Sequence, residues 1–429
     1  MEVAKGARLL GDRFAAVFDD KQTLCINVAR VSAMLAVVGV FYSPSVASVG
    51  MVVAYVAFVA SGQAVVRFTK VVERPAVYWA VVFLGVVLIG LTYASVSWGE
   101  RWTDVLKWRT ILWFVVLLSI FGDERWKMRL IMTVVVVAAV GLLGSFVATT
   151  GWVTFGRTPT TLLRNYVTQG MTFSVAGLIC LWMVLEQKAQ GLMRWLWLGL
   201  GTLFACNVIF VTHSRSAYVV LGLGLGVLLL WNARPVQRLM IVLGFPIVIA
   251  IVLAVSPRMQ DRIALGITEW AEAAESKTLT SMGLRRVYYR HALEIAEDHW
   301  LIGVGTGGFK QAYIANIANK YDSSDWRAEP IGDPHNQYLA VLVQHGIGGV
   351  VVFLMWIAAM ARDKASLPTY RMLALAILTG WCVSSLFSSH FRTFAEGHIL
   401  TTFLGVLLAT VSPQDQTTVA SEAPAQSAA

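Results

Sequence analysis

Apolar stretches of about 20 residues, the length needed to cross roughly 30 Å of hydrocarbon, recur along the whole chain rather than forming one anchor. Inside lipid a backbone has to satisfy its own hydrogen bonds, so such a chain folds as packed helices. Of the 429 residues, 57% are hydrophobic and 14% charged, and the mean hydropathy is +0.66, outside the range of ordinary soluble domains. The sequence therefore predicts an all-α polytopic membrane protein. Runs bounded by charge, Gly or Pro place about 12 transmembrane helices, near 25–44, 46–66, 76–96, 108–122, 130–150, 169–187, 195–213, 217–233, 239–256, 348–362, 372–389 and 398–412.

The short loops that would share a side with the N-terminus hold 17 Lys/Arg, counting Lys5, Arg8, Arg13 and Lys21, against 7 in the short loops opposite, Arg157 among them. This asymmetry puts both termini in the cytoplasm and residues 257–334 on the outer side. It also explains the net charge of +9 without nucleic acid, which is excluded as a partner. The 16 Trp and 12 Tyr suit the membrane–water boundary, with membrane lipids as their partners. Cys25, Cys180, Cys206 and Cys382 lie in or beside apolar runs and lack the spacing of a metal site or disulfide framework. The first apolar run exceeds signal-peptide length and is read as a retained span, preceded by an amphipathic segment over residues 1–22.

The chain divides into residues 1–256, with spans 1–9; 257–347, an external loop subdomain ending in a short surface helix; 348–412, with spans 10–12; and 413–429, a disordered cytoplasmic tail rich in Ala, Gln, Ser and Thr. The loop carries 9 Lys/Arg and 11 Asp/Glu in residues 257–334, about twice the charge density of the whole chain, so chemistry that needs polar groups concentrates there. Helical spacing recurs over Arg258–Glu275, Arg285–Glu297 and Phe309–Asn319, and residues 336–346 form a short helix ended by Gly346. Gly303 to Gly308 could be a phosphate cradle or a structural turn. The missing preceding strand and P-loop Lys-Ser/Thr pair favour the turn.

In Asp333-Pro334-His335-Asn336, Asp at the N-cap and Pro at the first helical position would start a helix and place His335 in its first turn. The positive end of the helix dipole would keep that imidazole neutral, able to act as a general base, although a histidine there could equally serve only local hydrogen bonding. Arg215, in Thr212-His213-Ser214-Arg215-Ser216, lies at the outer junction of two spans, where a guanidinium needs a polar cavity or an anion. Arg285 and Arg286 begin a loop helix beside Tyr288, Tyr289 and Arg290, and their forks suit phosphate or pyrophosphate oxygens. Salt bridges and lipid headgroups are the alternative partners for each arginine. Arg30, inside the first span, is read as paired near the interface.

Ser214-Arg215-Ser216, Arg285-x-x-x-Tyr289, the run Asp298-His299-Trp300-Leu301-Ile302-Gly303-Val304-Gly305, and His335-Asn336-x-Tyr338-Leu339 followed by Gln344-x-Gly346-x-x-Gly349 resemble the O-antigen ligase and polymerase superfamily in order, spacing and topology. The likeness covers residues 200–360, with departures at Trp300, where Pro is common, and Tyr289, where Trp is common. It implies a GT-C-like membrane glycosyltransferase at the periplasmic face of the bacterial inner membrane. Such an enzyme passes glycan from undecaprenyl pyrophosphate to an acceptor hydroxyl with inversion and without metal or cofactor. Arg215 and Arg285 would bind the pyrophosphate, and His335 would be the base; Arg286, Arg290, Tyr289, Asn336 and Tyr338 would complete substrate binding.

The first external loop, Ser43-Pro44-Ser45, has no carboxylate and the chain no Asp-x-Asp, in keeping with arginines rather than a divalent ion neutralising the leaving group. Within the superfamily, compact size and one dominant external loop favour an O-antigen ligase acting on lipid A-core oligosaccharide over an O-antigen polymerase or a protein O-oligosaccharyltransferase. A secondary transporter, the reading from another class, would predict inverted repeats and midplane ionisable residues, which the sequence does not display.

Overall fold

The computed structural model describes residues 2–155, 160–231, 233–272, 280–322 and 324–410. Arg157 and the tail expected to be disordered over 413–429 lie outside the described residues. Among those described, the chain is all-helical. Helix α1 (Glu2–Tyr42) runs unbroken from the N-terminal segment into the first apolar stretch. Helix α2 (Pro44–Ala60) returns along it, and a Cβ at Gly50 would lie 2.8 Å from Ala36 N, the close backbone approach that small residues permit. The expected span 46–66 does not stay straight: α3 (Ala64–Val72) leaves at 102° after Ser61-Gly62.

Helix α4 (Pro75–Tyr93) is followed by the short α5 (Trp98–Val105), closed by a Ser97–Glu100 capping box, and by α6 (Thr110–Ile120). Next come α7 (Glu124–Thr149), α8 (Tyr166–Leu185), α9 (Gly191–Phe210), α10 (Arg215–Trp231) and α11 (Pro235–Val255). Helices α12 (Pro257–Glu272), α13 (Ser281–His299) and α14 (Phe309–Ile317) form a canopy over one end of the bundle. Helices α15 (Gln337–Arg362), α16 (Pro368–Ser384) and α17 (Phe394–Leu407) complete it. All three canopy helices fall where the spacing predicts them.

Among the described residues, seven helical segments are long and apolar enough to cross a membrane: Lys21–Tyr42, α4, α7, α8, α9, α11 and α15; an eighth counts if the bent α2–α3 pair is one span. The chain is therefore a multi-pass membrane protein by architecture. Each of the twelve expected spans meets a helix, but α6, α10 and α17 have 11, 17 and 14 residues, so helix length alone does not carry a count of twelve. Helix α8 is buried nearly throughout and packs against α9 and α10, whereas α11 exposes its apolar length.

The glycine run joins canopy to bundle. Gly303, Gly305 and Gly307 have φ of +73°, +83° and +84°, the left-handed region that other residues avoid. Their loop is thereby threaded between α4 and α15. Gly303 N donates to His299 O, Val304 N to Val343 O, Gly305 N to Gln344 O, Thr306 N to Gly90 O, Gly307 N to Gln344 Oε1 and Gly308 N to Gly305 O. With every amide of the run committed, it is a structural turn. Opposite it, Gly346 (φ +62°, ψ −167°) breaks α15, as expected at that position, and Ile347 N reaches Trp300 O at 2.8 Å.

Candidate active site

His335 stands between the canopy and the bundle, and its backbone is held from both sides. Its N–H donates to Asp333 Oδ1 at 2.7 Å, and its carbonyl accepts from Tyr289 Oη on α13 at 3.2 Å. The imidazole stacks on Tyr288, with centroids 5.9 Å apart and planes at 20°. The helix start expected at Asp333 and Pro334 is corrected: α15 begins at Gln337, with Asn336 as its N-cap accepting from Tyr338 N and Leu339 N at 3.0 and 3.1 Å. His335 lies outside the helix with φ +55°, so the dipole of a first turn does not set its charge. Its pKa is nevertheless lowered, by partial burial first and by Arg285 and Arg392, while Asp333 pulls the other way.

Asp333 does not cap a helix because its carboxylate is taken elsewhere. Oδ2 accepts from Arg392 Nη2 and Nε at 2.6 and 3.1 Å, and Oδ1 from Ser389 Oγ at 2.7 Å. Arg392 is itself buried and reaches both oxygens of Asp104 at 3.4 Å, and Lys107 Nζ lies 2.6 Å from Asp104 Oδ1. Burial opposes ionisation of Asp333, but Arg392 and Ser389 outweigh it and hold the carboxyl below its ordinary range. The result is a chain of alternating charges from Lys107 to the backbone of His335. The sequence reading missed it. Asp104 and Arg392 stand 288 positions apart, and the one local signal is the polar run Ser388-Ser389-His390-Phe391-Arg392 between two apolar helices.

Arg285 is brought to the same place. Its Nε donates to Phe387 O at 3.0 Å and its Nη1 to Ser281 Oγ at 2.7 Å, while Nη2 has no hydrogen bond among the described residues. His390, on the loop after α16, puts Nε2 3.1 Å from Ser216 Oγ, next to Arg215; its Nδ1 is buried without a hydrogen-bond partner. Burial keeps the His390 pKa well below ordinary, so this ring is neutral. Arg215 itself lies at the N-terminus of α10 and lines, with Tyr218, Ile263, Gly266, Ile267 and Met282, a cavity of about 440 Å³ under α12. Met282 also borders Arg285, 3.8 Å from its Nη1. Among its described lining residues Arg215 carries the one charge.

The remaining expected site residues are occupied otherwise. Arg286 Nη1 donates to Ala271 O at 3.0 Å, tying α13 to α12. Arg290 turns to the solvent side, 72% exposed, and pairs with Glu294 at 3.1 Å. Tyr338 Oη donates to Cys382 O at 2.8 Å and Tyr289 Oη to Leu386 O at 2.6 Å, so both brace backbone. Burial, partly offset by Arg285, pushes the Tyr289 pKa up to about 12, which leaves it a donor at neutral pH. Arg30 lies away from this site, where its Nε donates to Ile120 O at 2.7 Å.

Among the described residues no three His, Cys, Asp or Glu side chains converge to hold a metal ion. The arrangement offers a neutral imidazole beside two guanidinium groups, at the mouth of an apolar cavity. Residues 200–354, which contain Arg215, Arg285 and His335, match the family model described as O-antigen ligase. No curated protein matches the chain.

Proposed function

We propose, from the match of residues 200–354 to the O-antigen ligase family, that the chain transfers O-antigen glycan from undecaprenyl pyrophosphate to the lipid A-core oligosaccharide at the periplasmic face of the inner membrane. The observation that carries this reading is the convergence of His335 and Arg285 beside Ser216, His390 and the Arg215 cavity, from segments far apart in sequence. The isoprene units next to the donor's pyrophosphate lie against the apolar lining, and the pyrophosphate meets Arg215, the charged group among the described lining residues. The open Nη2 of Arg285 supplies the second fork, and a guanidinium matches phosphate oxygens better than a Lys point charge does.

His335 takes the proton from the acceptor hydroxyl as that oxygen attacks the anomeric carbon. The glycosidic C–O bond to pyrophosphate breaks on the opposite face, and the released undecaprenyl pyrophosphate carries away the bonding pair. One direct displacement inverts the anomeric centre and needs no enzyme nucleophile. Arg215 and Arg285 stabilise charge as it develops on the leaving group, the role a divalent ion fills elsewhere. Asp333, fixed by Arg392, keeps the His335 backbone in its left-handed conformation and aims the ring.

Reconstitution with undecaprenyl-pyrophosphate glycan and rough lipopolysaccharide in EDTA tests this reading. Glycosylated lipopolysaccharide is the expected product. Elongation of lipid-linked glycan alone would make the enzyme a polymerase, and loss of activity in EDTA would overturn the metal-independent mechanism.

A further inference from the structure

A second pair of arginines stands around Phe394, two residues after Arg392 in the chain. Arg109, just before α6, and Arg164, just before α8, both place their guanidinium groups over the ring of Phe394, at 5.1 and 5.0 Å from its centroid. The two charges are therefore no farther apart than these distances together. Both arginines are exposed. Neither has an acidic partner among the described residues, and the side chain of Arg109 makes one long contact, 3.4 Å to Leu106 O. The nearby carboxylate of Glu396 is buried and accepts from Thr168 Oγ1 at 2.7 Å.

Beneath Phe394, His398 is 1% exposed and packs its ring at 4.8 Å from that of Phe394. Its Nδ1 is taken by Phe394 O at 2.5 Å, and its Nε2 is buried with no hydrogen-bond partner. Because Nδ1 of His398 donates to Phe394 O, its Nε2 can only accept, so what draws an anion here is the pair of guanidinium groups over Phe394. It lies where α6, α8 and α17 begin, the depth at which a membrane protein meets lipid phosphates.

We propose that Arg109 and Arg164, both over the ring of Phe394, form a seat for a phosphate group of the acceptor, a phosphorylated glycolipid embedded in the same membrane. The inference rests on the transferase reading above. A transferase with two amphiphilic substrates has to keep them apart until their reacting atoms meet. Here Arg215 and Arg285 take the donor's anion, and Arg109 and Arg164 take the acceptor's. The loop 385–393 carries Ser389, His390 and Arg392, which border His335, and runs directly into Phe394. Held by its phosphate near Phe394, the acceptor keeps its anion off the arginines that take the donor's pyrophosphate.

The test uses the full-length enzyme in nanodiscs, with the acceptor varied at saturating donor and the donor varied at saturating acceptor. The double variant Arg109→Ala, Arg164→Ala is expected to raise the acceptor KM at least about tenfold, the loss of one or two charge-assisted contacts, and to leave kcat and the donor KM within about twofold. Arg→Lys at both positions is expected to recover part of that loss. An acceptor KM unchanged in the double variant overturns the proposal. A binding arm stands apart from turnover: thermophoresis with diphosphorylated lipid A and with its phosphatase-treated form. The wild type is expected to prefer the phosphorylated form and the double variant to lose that preference. Equal binding by both proteins, or equally strong competition by phosphatidic acid, overturns the acceptor seat even where the transferase assay succeeds. If the wild type transfers no glycan yet shows the preference, the transferase reading has failed and the phosphate seat has not.

Discussion

The two ends of the bundle bury the same kinds of side chain to different effect. Away from the canopy, Lys127 is 0% exposed and its Nζ is divided among Ala409 O at 2.7 Å, Ser366 Oγ at 2.5 Å and Glu124 Oε1 at 3.5 Å. Arg67 donates to Ser119 O and Gln63, and Arg74 bridges to Asp363 and Lys364 O. These cations close helix ends whose carbonyls would otherwise lack partners, and an ammonium with three donors used has nothing left for a substrate. At the canopy end, Arg392 is equally buried but sits between two carboxylates, while Arg285 and His335 keep polar atoms turned toward space. Lys127 is a latch with its hydrogen-bonding capacity filled, whereas Arg285 and His335 keep part of theirs open to a substrate.

The largest expected effect follows directly. His335→Ala is expected to lower the rate of glycan transfer by about 10²–10⁴-fold, the usual contribution of a general base, while the purified variant keeps the thermal stability of the wild type. A variant that still loads full-length polysaccharide onto lipid A-core in cells would remove His335 from the chemistry.

Next comes a pair that separates latch from positioning. Arg392→Ala leaves Asp333 without a cation and Asp104 with Lys107 alone, and breaking a buried pair costs about 3–5 kcal/mol. Lys127→Ala should be destabilising as well. The two are expected to part in the activity of the protein that remains folded: near wild type for Lys127→Ala, strongly reduced for Arg392→Ala, with Arg392→Lys between. Equal specific activities, measured on the folded fraction after size exclusion, would dissolve the distinction between the two ends.

The acid limb of the pH profile sharpens the same comparison. The neutral imidazole is the active form, and the pKa of His335 is lowered from 6.5, so activity should persist below the pH at which an ordinary histidine is half protonated. Arg285→Gln removes a cation that disfavours imidazolium, so the midpoint should rise. Asp333→Asn removes the anion that favours it, so the midpoint should fall. Shifts in kcat/KM of the same sign for both variants would contradict the electrostatics assigned to the site.

What could be seen in the sequence divides along the same physical line. Helix positions were legible because hydropathy is a local property, and the canopy helices and the break at Gly346 followed from spacing and glycine. The glycine run was readable as a turn because a phosphate cradle needs neighbours that it lacks. The start of α15 was misjudged for a reason outside its own segment. Both Asp333 and Asn336 are good N-caps, and Arg392, 59 residues away, captures the aspartate and leaves the asparagine to cap. Arg215, Arg285 and His335 stood out as chemically unusual. Arg286 and Arg290 neighbour Arg285 in sequence, but, one and five positions on, the helix turns them to other faces, whereas Tyr289, four positions on, stays on its face and reaches the His335 carbonyl.

Arg290→Ala supplies the smallest expected effect and a check on that last point. Its side chain is 72% exposed and paired i to i+4 with Glu294, an arrangement contributing about 0–1 kcal/mol. Glu294 also holds His291 and Lys320, so the canopy keeps most of this local network when Arg290 is removed. Transfer rate, acid limb and melting temperature should all stay near wild type. Arg285, five positions earlier on the same helix, should by contrast lose most of its activity on conversion to Ala, because its guanidinium points at Phe387 O and the space beside His335. If Arg290→Ala were as damaging as Arg285→Ala, the site would extend over the solvent face of α13, and the boundary drawn here between filled and open charges would have to move outward.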